Sequence, residues 1–358
     1  MSSYLFFDTV RLNPDSGGVL NVSEVLLQSM TAASSRENHE VHEVHAVSER
    51  YPRLFAIAMR HKVSRFVVDT LLYNWHRLRA LWSREQLMFV FPNYFLPLSP
   101  LGRQRDCIVI VHDLQYKALP QYFSKNKRRW LDWSLRRLAR SAAQVVFISR
   151  SSEQDFERHF SACRNASVIF NPVYAAKEPT AAPASAAART GVRYLIASYH
   201  YYPHKNFAGI ISLFRQMRQD GLVDALYITG NGAAKVKDMV QSLAPELQPH
   251  VVHQGMVSRK ALKELYLGAV AFVSLSAFEG FNLSAAEAAT LGTPLLLSDI
   301  PVHRELFADY AHFIAGDRAD SRQIATYLAH HRRASPQWTY TDTCTPQAVA
   351  ARYLQLGT

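Results

Sequence analysis

Strand-like and helix-like runs alternate along nearly all of this 358-residue chain, and that alternation restricts it to parallel α/β sheets. In the first half, apolar runs at 4–8, 41–47, 87–91, 107–111, 144–148 and 167–170 read as strands. Helical runs such as 19–30, 64–82 and 125–139 lie between them. Residues 175–190 are rich in Ala, contain Pro179, Pro183 and Ser185, and have no periodicity, so they read as a linker. Alternation restarts with strands at 194–197, 226–229, 251–254, 270–275 and 295–298. These runs predict two doubly wound, Rossmann-like domains, residues 1–174 and 191–344. The tail, 345–358, carries a helix over 347–356 that is free to cross back to the first domain.

Composition narrows the class. Hydrophobic residues make up 48% and charged residues 19%, which fits a globular chain rather than a disordered one. No apolar run approaches the ~20 residues a membrane helix needs. The N-terminus enters a strand-like run at once, so no signal peptide is expected. Cys107, Cys163 and Cys344 are widely spaced, which predicts reduced thiols in the cytoplasm, not a disulfide framework or a zinc site. The formal charge of +11 favours a polyanionic partner: nucleic acid, an anionic membrane face, or phosphorylated ligands.

The segment from Phe278 to Glu287 carries the most chemistry. It joins two strand-like runs through a loop and a short helix that stops at Gly292, Thr293 and Pro294. In open α/β sheets, ligands bind at the carboxyl ends of strands. Glu279 lies in the loop, and the amides of Gly280 to Asn282 approach a helix N-terminus, which suits phosphate or sugar oxygens. With a helix beginning at Ser284, Glu287 reaches the same mouth. The pattern Ser284-x-x-Glu287 reads equally as a capping box, in which Glu287 serves only backbone amides.

Other segments are individually weaker. Pro203-His204-Lys205-Asn206 stands at a strand-to-helix corner, where Lys205 can neutralise a diphosphate; a surface lysine before a helix capped by Asn206 is the plainer reading. His112-Asp113 ends an apolar strand, where a histidine can bond a sugar hydroxyl or handle a proton, or merely border an Asx turn. Gly17-Gly18 opens a helical run and allows close backbone approach to a ligand, or simply a turn. Lys125 to Arg140 holds seven basic residues with Trp130 and Trp133, which suits an anionic membrane interface or a solvated face with core tryptophans. No zinc-finger, helix-turn-helix or RNA-recognition signature accompanies the charge, so no nucleic acid partner is expected.

Taken together, these segments resemble one family. The spacing Glu279 to Glu287, with Gly255-Met256-Val257-Ser258, Glu279-Gly280-Phe281, Gly292-Thr293-Pro294 and Ser298-Asp299-Ile300-Pro301, resembles the retaining, nucleotide-sugar-dependent glycosyltransferases of family 4. Ile110-Val111-His112-Asp113-Leu114, Tyr122-Phe123-Ser124, Phe147-Ile148-Ser149 and Asn171-Pro172-Val173 are similar to the acceptor-side domain of bacterial mannosyl- and rhamnosyltransferases. The resemblance implies the GT-B fold, two Rossmann-like domains facing a central cleft. It implies that Glu279 and the amides of Gly280, Phe281, Asn282 and Leu283 hold the donor sugar and phosphates. Glu287 would hold the ribose, Lys205 with Asn206 and His200 the diphosphate side, and His112 the transferred sugar. Gly17, Gly18 and Asp113 would line the acceptor side.

Two departures stand out. The arginine usual five residues before the phosphate lysine is His200, which leaves Arg259 or Lys260 as substitute cations. The usual Gly-Leu-Pro is Asn282-Leu283-Ser284, which would place a polar side chain beside the donor. The expected activity is metal-independent, cofactor-free, retaining transfer from a nucleotide sugar, favouring a GDP-linked hexose, to a growing glycan of a bacterial surface polysaccharide. Peripheral attachment to the inner face of the cytoplasmic membrane goes with a lipid-linked acceptor. A GT-B epimerase, or a non-catalytic glycan or polyanion binder on a decayed scaffold, are the rival readings.

Overall fold

The computed structural model describes residues 2–7, 17–37, 39–44, 62–83, 85–101, 104–174, 191–198, 202–230, 232–315 and 319–357. The linker 175–190, His200, Asp8 and residues 45–47 of the predicted strands lie outside them. The chain divides into two compact units, Met1–Pro172 with Thr343–Thr358, and Val173–Asp342.

In the first unit, β1 (Ser2–Phe6), β2 (Glu40–Glu43), β3 (Gln86–Phe91), β4 (Cys107–Val111), β5 (Gln144–Phe147) and β6 (Asn165–Val168) form one sheet in the order β2-β1-β3-β4-β5-β6. Its described pairings are all parallel. The connections carry α1 (Gly17–Glu37), α2 (Lys62–Ser83), α3 (Gln115–Ala118), α4 (Lys125–Arg140) and α5 (Arg150–His159). All five residues of β4 are buried, as a strand covered on both faces requires.

Helix α4 begins at the cap Ser124, whose hydroxyl accepts from the Lys127 amide. Its two expected roles divide between its faces. Trp130 packs on Phe95 with ring centroids 4.9 Å apart, while Trp133 stays 43% exposed. Lys125, Lys127, Arg129, Arg136 and Arg140 are exposed. Arg137 departs from the expected basic surface: its guanidinium donates to the Leu96 and Pro97 carbonyls at 3.1 and 3.2 Å and lies 4.8 Å over the Trp133 ring.

In the second unit, β7 (Tyr194–Ser198), β8 (Ala225–Thr229), β9 (Val251–Gly255), β10 (Ala271–Ser274), β11 (Leu295–Ser298) and β12 (His312–Ile314) form a second parallel sheet, ordered β12-β11-β10-β7-β8-β9. Helices α6 (Phe207–Gln219), α7 (Ala233–Gln241), α8 (Arg259–Gly268), α9 (Leu283–Thr290), α10 (Pro301–Phe307) and α11 (Ser321–Ala334) alternate with the strands. Helix α6 turns Phe207, Ile210, Ile211, Phe214 and Met217 into the core, a one-faced helical spacing. The edge strand β12 has no counterpart in the sequence reading, because three residues carry too little periodicity to register. From β7 the chain winds outward to β9, then returns to β10 on the other side of β7. That reversal is a topological switch point, where a doubly wound sheet opens a crevice at its carboxyl ends.

The last helix, α12 (Pro346–Gln355), belongs to the first unit. The Tyr4 hydroxyl donates to the Leu354 carbonyl, and Arg352 to the Val168 carbonyl at 2.8 Å. A Cβ at Gly357 would collide with the Tyr4 side chain, so this approach needs a glycine.

Candidate active site

The candidate site of the second unit lies at the carboxyl ends of β7 and β10, the two strands that flank the reversal. After β10 the chain passes through Glu279, Gly280 and Phe281 to Asn282, which takes the left-handed conformation with φ 64°. Asn282 caps α9: its Oδ1 accepts from the Ala285 amide at 3.3 Å. Helix α9 therefore starts at Leu283, one residue before the expected Ser284. Glu287 then falls beyond the third helical position, and the Ser284–Glu287 capping box does not form. Gly292, with φ 79°, ends the helix two residues after Thr290.

The rest of the Asn282 side chain faces inward. Its Nδ2 donates to Ser274 Oγ at 3.1 Å and to His303 Nε2 at 2.8 Å. This corrects the expectation that its side chain stands beside the donor: a buried amide takes the partners that satisfy it. His303 Nδ1 lies 2.8 Å from the Ser298 carbonyl, which can only accept. The proton therefore sits on Nδ1, and Nε2 accepts from Asn282. Burial lowers the His303 pKa, against the Ser298 bond that raises it, and keeps the ring neutral. Ser298 Oγ donates to the Ser276 carbonyl at 2.6 Å, and the Ser274 and Ser276 hydroxyls are 3.3 Å apart. Ser274, Asn282, His303, Ser298 and Ser276 thus form a polar ring around the start of α9. Sequence reading missed His303, Ser274 and Ser276. One histidine among 15 and two serines at a strand end carry no distinguishing pattern.

Lys205 ends a short 3₁₀ turn, Pro203–Lys205. The His204 carbonyl accepts from the Ala277 amide at 2.8 Å and joins this turn to the β10 loop. Lys205 Nζ lies 2.6 Å from Glu279 Oε1, with the two side chains 21% and 11% exposed. Burial pushes the Glu279 carboxyl up, but Lys205 and the Ser276 hydroxyl pull it net below its ordinary value. The Glu279 carboxylate is held ionised against Lys205 in a mostly buried pair, so Lys205 is not the solvated surface lysine of the plainer reading. Asn206 is the cap of that reading: its Oδ1 accepts from the Gly209 amide at 3.1 Å. His204, stacked on Tyr202, is lowered to about 4 by burial and by Lys205, with Glu279 opposing.

Glu287 has no hydrogen bond or ion pair among the described residues. Burial raises its carboxyl to about 7, and Arg259 acts against that rise. Arg259 opens α8 and places its guanidinium 4.3 Å over the Tyr174 ring. Of the remaining donor-side candidates, Gly280 and the Phe281 side chain are buried, and Leu283 is the first residue of α9. Among the described residues, no group of three or more His, Cys, Asp and Glu side chains could hold a metal ion.

The first unit holds the acceptor-side candidates. His112 follows β4 and is buried. Its Nε2 lies 2.8 Å from the Pro92 carbonyl and donates to it, which leaves Nδ1 as an acceptor. Burial lowers its pKa against that bond, so the ring is neutral. Asp113 Oδ1 accepts from the Gln115 amide at 3.0 Å, an Asx turn. Gly17 and Gly18 open α1, and a Cβ at Gly18 would meet nothing within 4 Å.

A sequence profile described as "Glycosyltransferase Family 4" matches residues 23–177, and one described as "Glycosyl transferases group 1" matches residues 180–330. The chain belongs to the family 4 glycosyltransferases. It is 25% identical over 254 residues to the serotype-specific mannosyltransferase WbdA of Escherichia coli, covering 64% of this chain and 31% of that protein. The chain thus spans about a third of the length of this relative. It is 23% identical over 287 residues to the O-antigen chain mannosyltransferase B of the same species, covering 77% of this chain and 73% of that protein. Among solved structures, that of WaaG, a glycosyltransferase involved in lipopolysaccharide biosynthesis, matches with TM-score 0.64, 14% identity and complete coverage of both chains. This match assigns the fold as GT-B.

Proposed function

We propose that this chain transfers a sugar from a nucleotide-sugar donor to a growing glycan, with retention at the anomeric carbon and without a metal ion. The observation that carries this reading is the Lys205–Glu279 pair beside the N-terminus of α9, at the switch point of the second sheet. A helix N-terminus and a lysine form a site for a diphosphate. When the bond between the sugar C1 and the diphosphate oxygen breaks, negative charge grows on the leaving phosphate. Lys205 and the amides from Gly280 to Leu283 stabilise that charge. Lys205 leaves Glu279 to do so, which frees the Glu279 carboxylate for the hydroxyls of the donor sugar. The acceptor oxygen bonds C1 on the face the diphosphate leaves, and its proton passes to the leaving phosphate. Glu287 holds the ribose hydroxyls, and His112 accepts a hydrogen bond at Nδ1 from the transferred sugar.

The favoured donor is a GDP-linked hexose, mannose or a deoxy relative. Similarity to two mannosyltransferases supports it. The favoured acceptor is a glycan carried on a lipid diphosphate at the inner face of a bacterial membrane, within O-antigen, capsule or exopolysaccharide synthesis. The exposed cations of α4 suit that setting. No helix among the described residues is long and apolar enough to cross a membrane.

A thermal-shift series with GDP, UDP and ADP tests donor binding. A ligand that binds only the folded chain adds about 2.7 kcal/mol at a hundredfold excess over its Kd. The expected result is a rise with GDP that the substitution Glu287→Ala removes. No rise with any of the three nucleotides would overturn the donor reading.

A further inference from the structure

Helix α2 is apolar on its outer face as well as its inner one, where Tyr73 and Ala80 are buried. Its buried face carries Asp69 and Tyr73, and beside them Arg77 pairs with Asp106 at 3.0 Å and donates to the Tyr73 hydroxyl at 2.9 Å. Its outer face carries Val67, Leu71, Trp75, Leu78 and Trp82, which are 49, 65, 61, 52 and 93% exposed. Intervals of four, four, three and four residues keep these side chains on one stripe. At 1.5 Å per residue the stripe is about 22 Å long. A lone exposed leucine is ordinary, whereas a continuous apolar stripe marks a contact surface.

We infer that this stripe inserts into the interfacial layer of an anionic lipid bilayer. Two tryptophans and two leucines on one exposed helix face match the layer where headgroups meet acyl chains. The outer face has no carboxylate, since Asp69 is the only acid of α2 and is buried. Phe66 of α2 contacts Trp130 and Trp133 of α4, with ring centroids 6.5 and 6.1 Å apart, so the exposed cations of α4 belong to the same surface. The only acid of α4, Asp132, is neutralised by Lys117 at 2.8 Å. An apolar stripe beside a cationic helix complements an anionic bilayer. A second copy of the chain is the poorer occupant. Leu71, Trp75, Leu78 and Trp82 keep a seam spacing, but tryptophan fills two of those four positions where a coiled coil prefers aliphatic residues. Self-pairing would also bring like charges together. The α4 charges supply long-range attraction, and α2 supplies the anchorage. This inference stands without the transferase reading, because it needs no sugar.

Co-sedimentation of the full chain tests it, with vesicles of equal parts phosphatidylglycerol and phosphatidylethanolamine against vesicles of phosphatidylcholine alone. The variant combines Leu71→Ser, Trp75→Ser, Leu78→Ser and Trp82→Ser. The expected result is binding to the anionic vesicles with a blue shift of tryptophan emission. Part of that binding persists at high salt, because apolar insertion is not screened. The four substitutions should lower it by about tenfold or more without lowering the melting temperature. Wild-type and variant chains that sediment alike would overturn the inference, even with binding abolished by Arg129→Gln and Arg136→Gln. A dimer in solution that Trp75→Ser dissociates, with no vesicle binding, would overturn it in favour of a second copy. A monomer that ignores all vesicles and whose tryptophans resist quenching would overturn it in favour of cover by its own chain.

Discussion

Lys205 Nζ lies 2.6 Å from Glu279 Oε1, so the residues proposed to receive the diphosphate and the donor sugar hold each other in the free protein. The pair keeps both side chains in place and keeps the carboxylate ionised. Because the pair is mostly buried, removing one partner strands the other charge. Lys205→Met is expected to lower stability by about 2 kcal/mol, between the values for surface and fully buried pairs. Lys205→Met with Glu279→Gln should recover most of that loss while transfer stays abolished. Urea denaturation and a transfer assay on the wild type and these two variants check this. A double variant as unstable as the single one would dissolve the coupling.

Glu287 should make both stability and nucleotide binding depend on pH. Its ordinary value near 4.5 rises to about 7 in the folded chain. The folded state therefore binds its proton more tightly than the unfolded chain. The stability this contributes is fully present below about 4.5 and is lost as pH rises through about 7. Glu287→Gln should exceed wild type in stability above that range by on the order of 2–3 kcal/mol. Nucleotide binding runs the other way. Ribose hydroxyls favour the carboxylate, so affinity should strengthen as pH rises through 7, and Glu287→Gln should flatten that dependence. Calorimetric titration with GDP across the range reads both the slope and the proton release.

Much of the fold was legible in the sequence. Buried parallel strands such as β4 and β7 are short apolar runs between helical ones, so their existence was plain. Strand β12 was not, at three residues. The site was legible as positions but not as contacts. The Glu279 to Glu287 spacing identified the corner, yet whether Glu287 caps a helix turned on a one-residue shift in where α9 begins. That start is set by Asn282 in a left-handed conformation, which local sequence does not announce. The partnership of Asn282 with His303 spans 21 residues and depends on tertiary packing. The same holds for Arg137, whose carbonyl partners lie about 40 residues away.

Asn282 gives a sharper test of the α9 start. Its φ of 64° suits glycine, so Asn282→Gly removes the cap and the His303 bond without adding strain. The expected loss is about 1–2 kcal/mol. Asn282→Ala should lose more, since it adds a left-handed penalty of about 1 kcal/mol. Thermal unfolding orders the three proteins, and an alanine variant as stable as the glycine variant would contradict the assigned conformation.

Arg137 should separate from its neighbours on α4. Arg137→Gln leaves the Leu96 and Pro97 carbonyls without their charged donor and is expected to cost about 1–3 kcal/mol. The exposed Arg129 and Arg136 should change stability by less than about 0.5 kcal/mol when made glutamine. Chemical denaturation of the single variants distinguishes the structural arginine from the surface ones.

Anomeric configuration of the product is the most direct measure of sugar transfer with retention. The purified chain would be supplied with GDP-mannose and lipid-linked glycans extracted from a bacterial membrane, and the new linkage examined by NMR. The predicted result is a glycan extended by a sugar in the same anomeric configuration as the donor, formed by the wild type and not by Lys205→Met. An inverted linkage would contradict retention. Failure to extend any acceptor with GDP-mannose, UDP-glucose or ADP-glucose, in a chain that still binds glycan, would contradict catalysis itself.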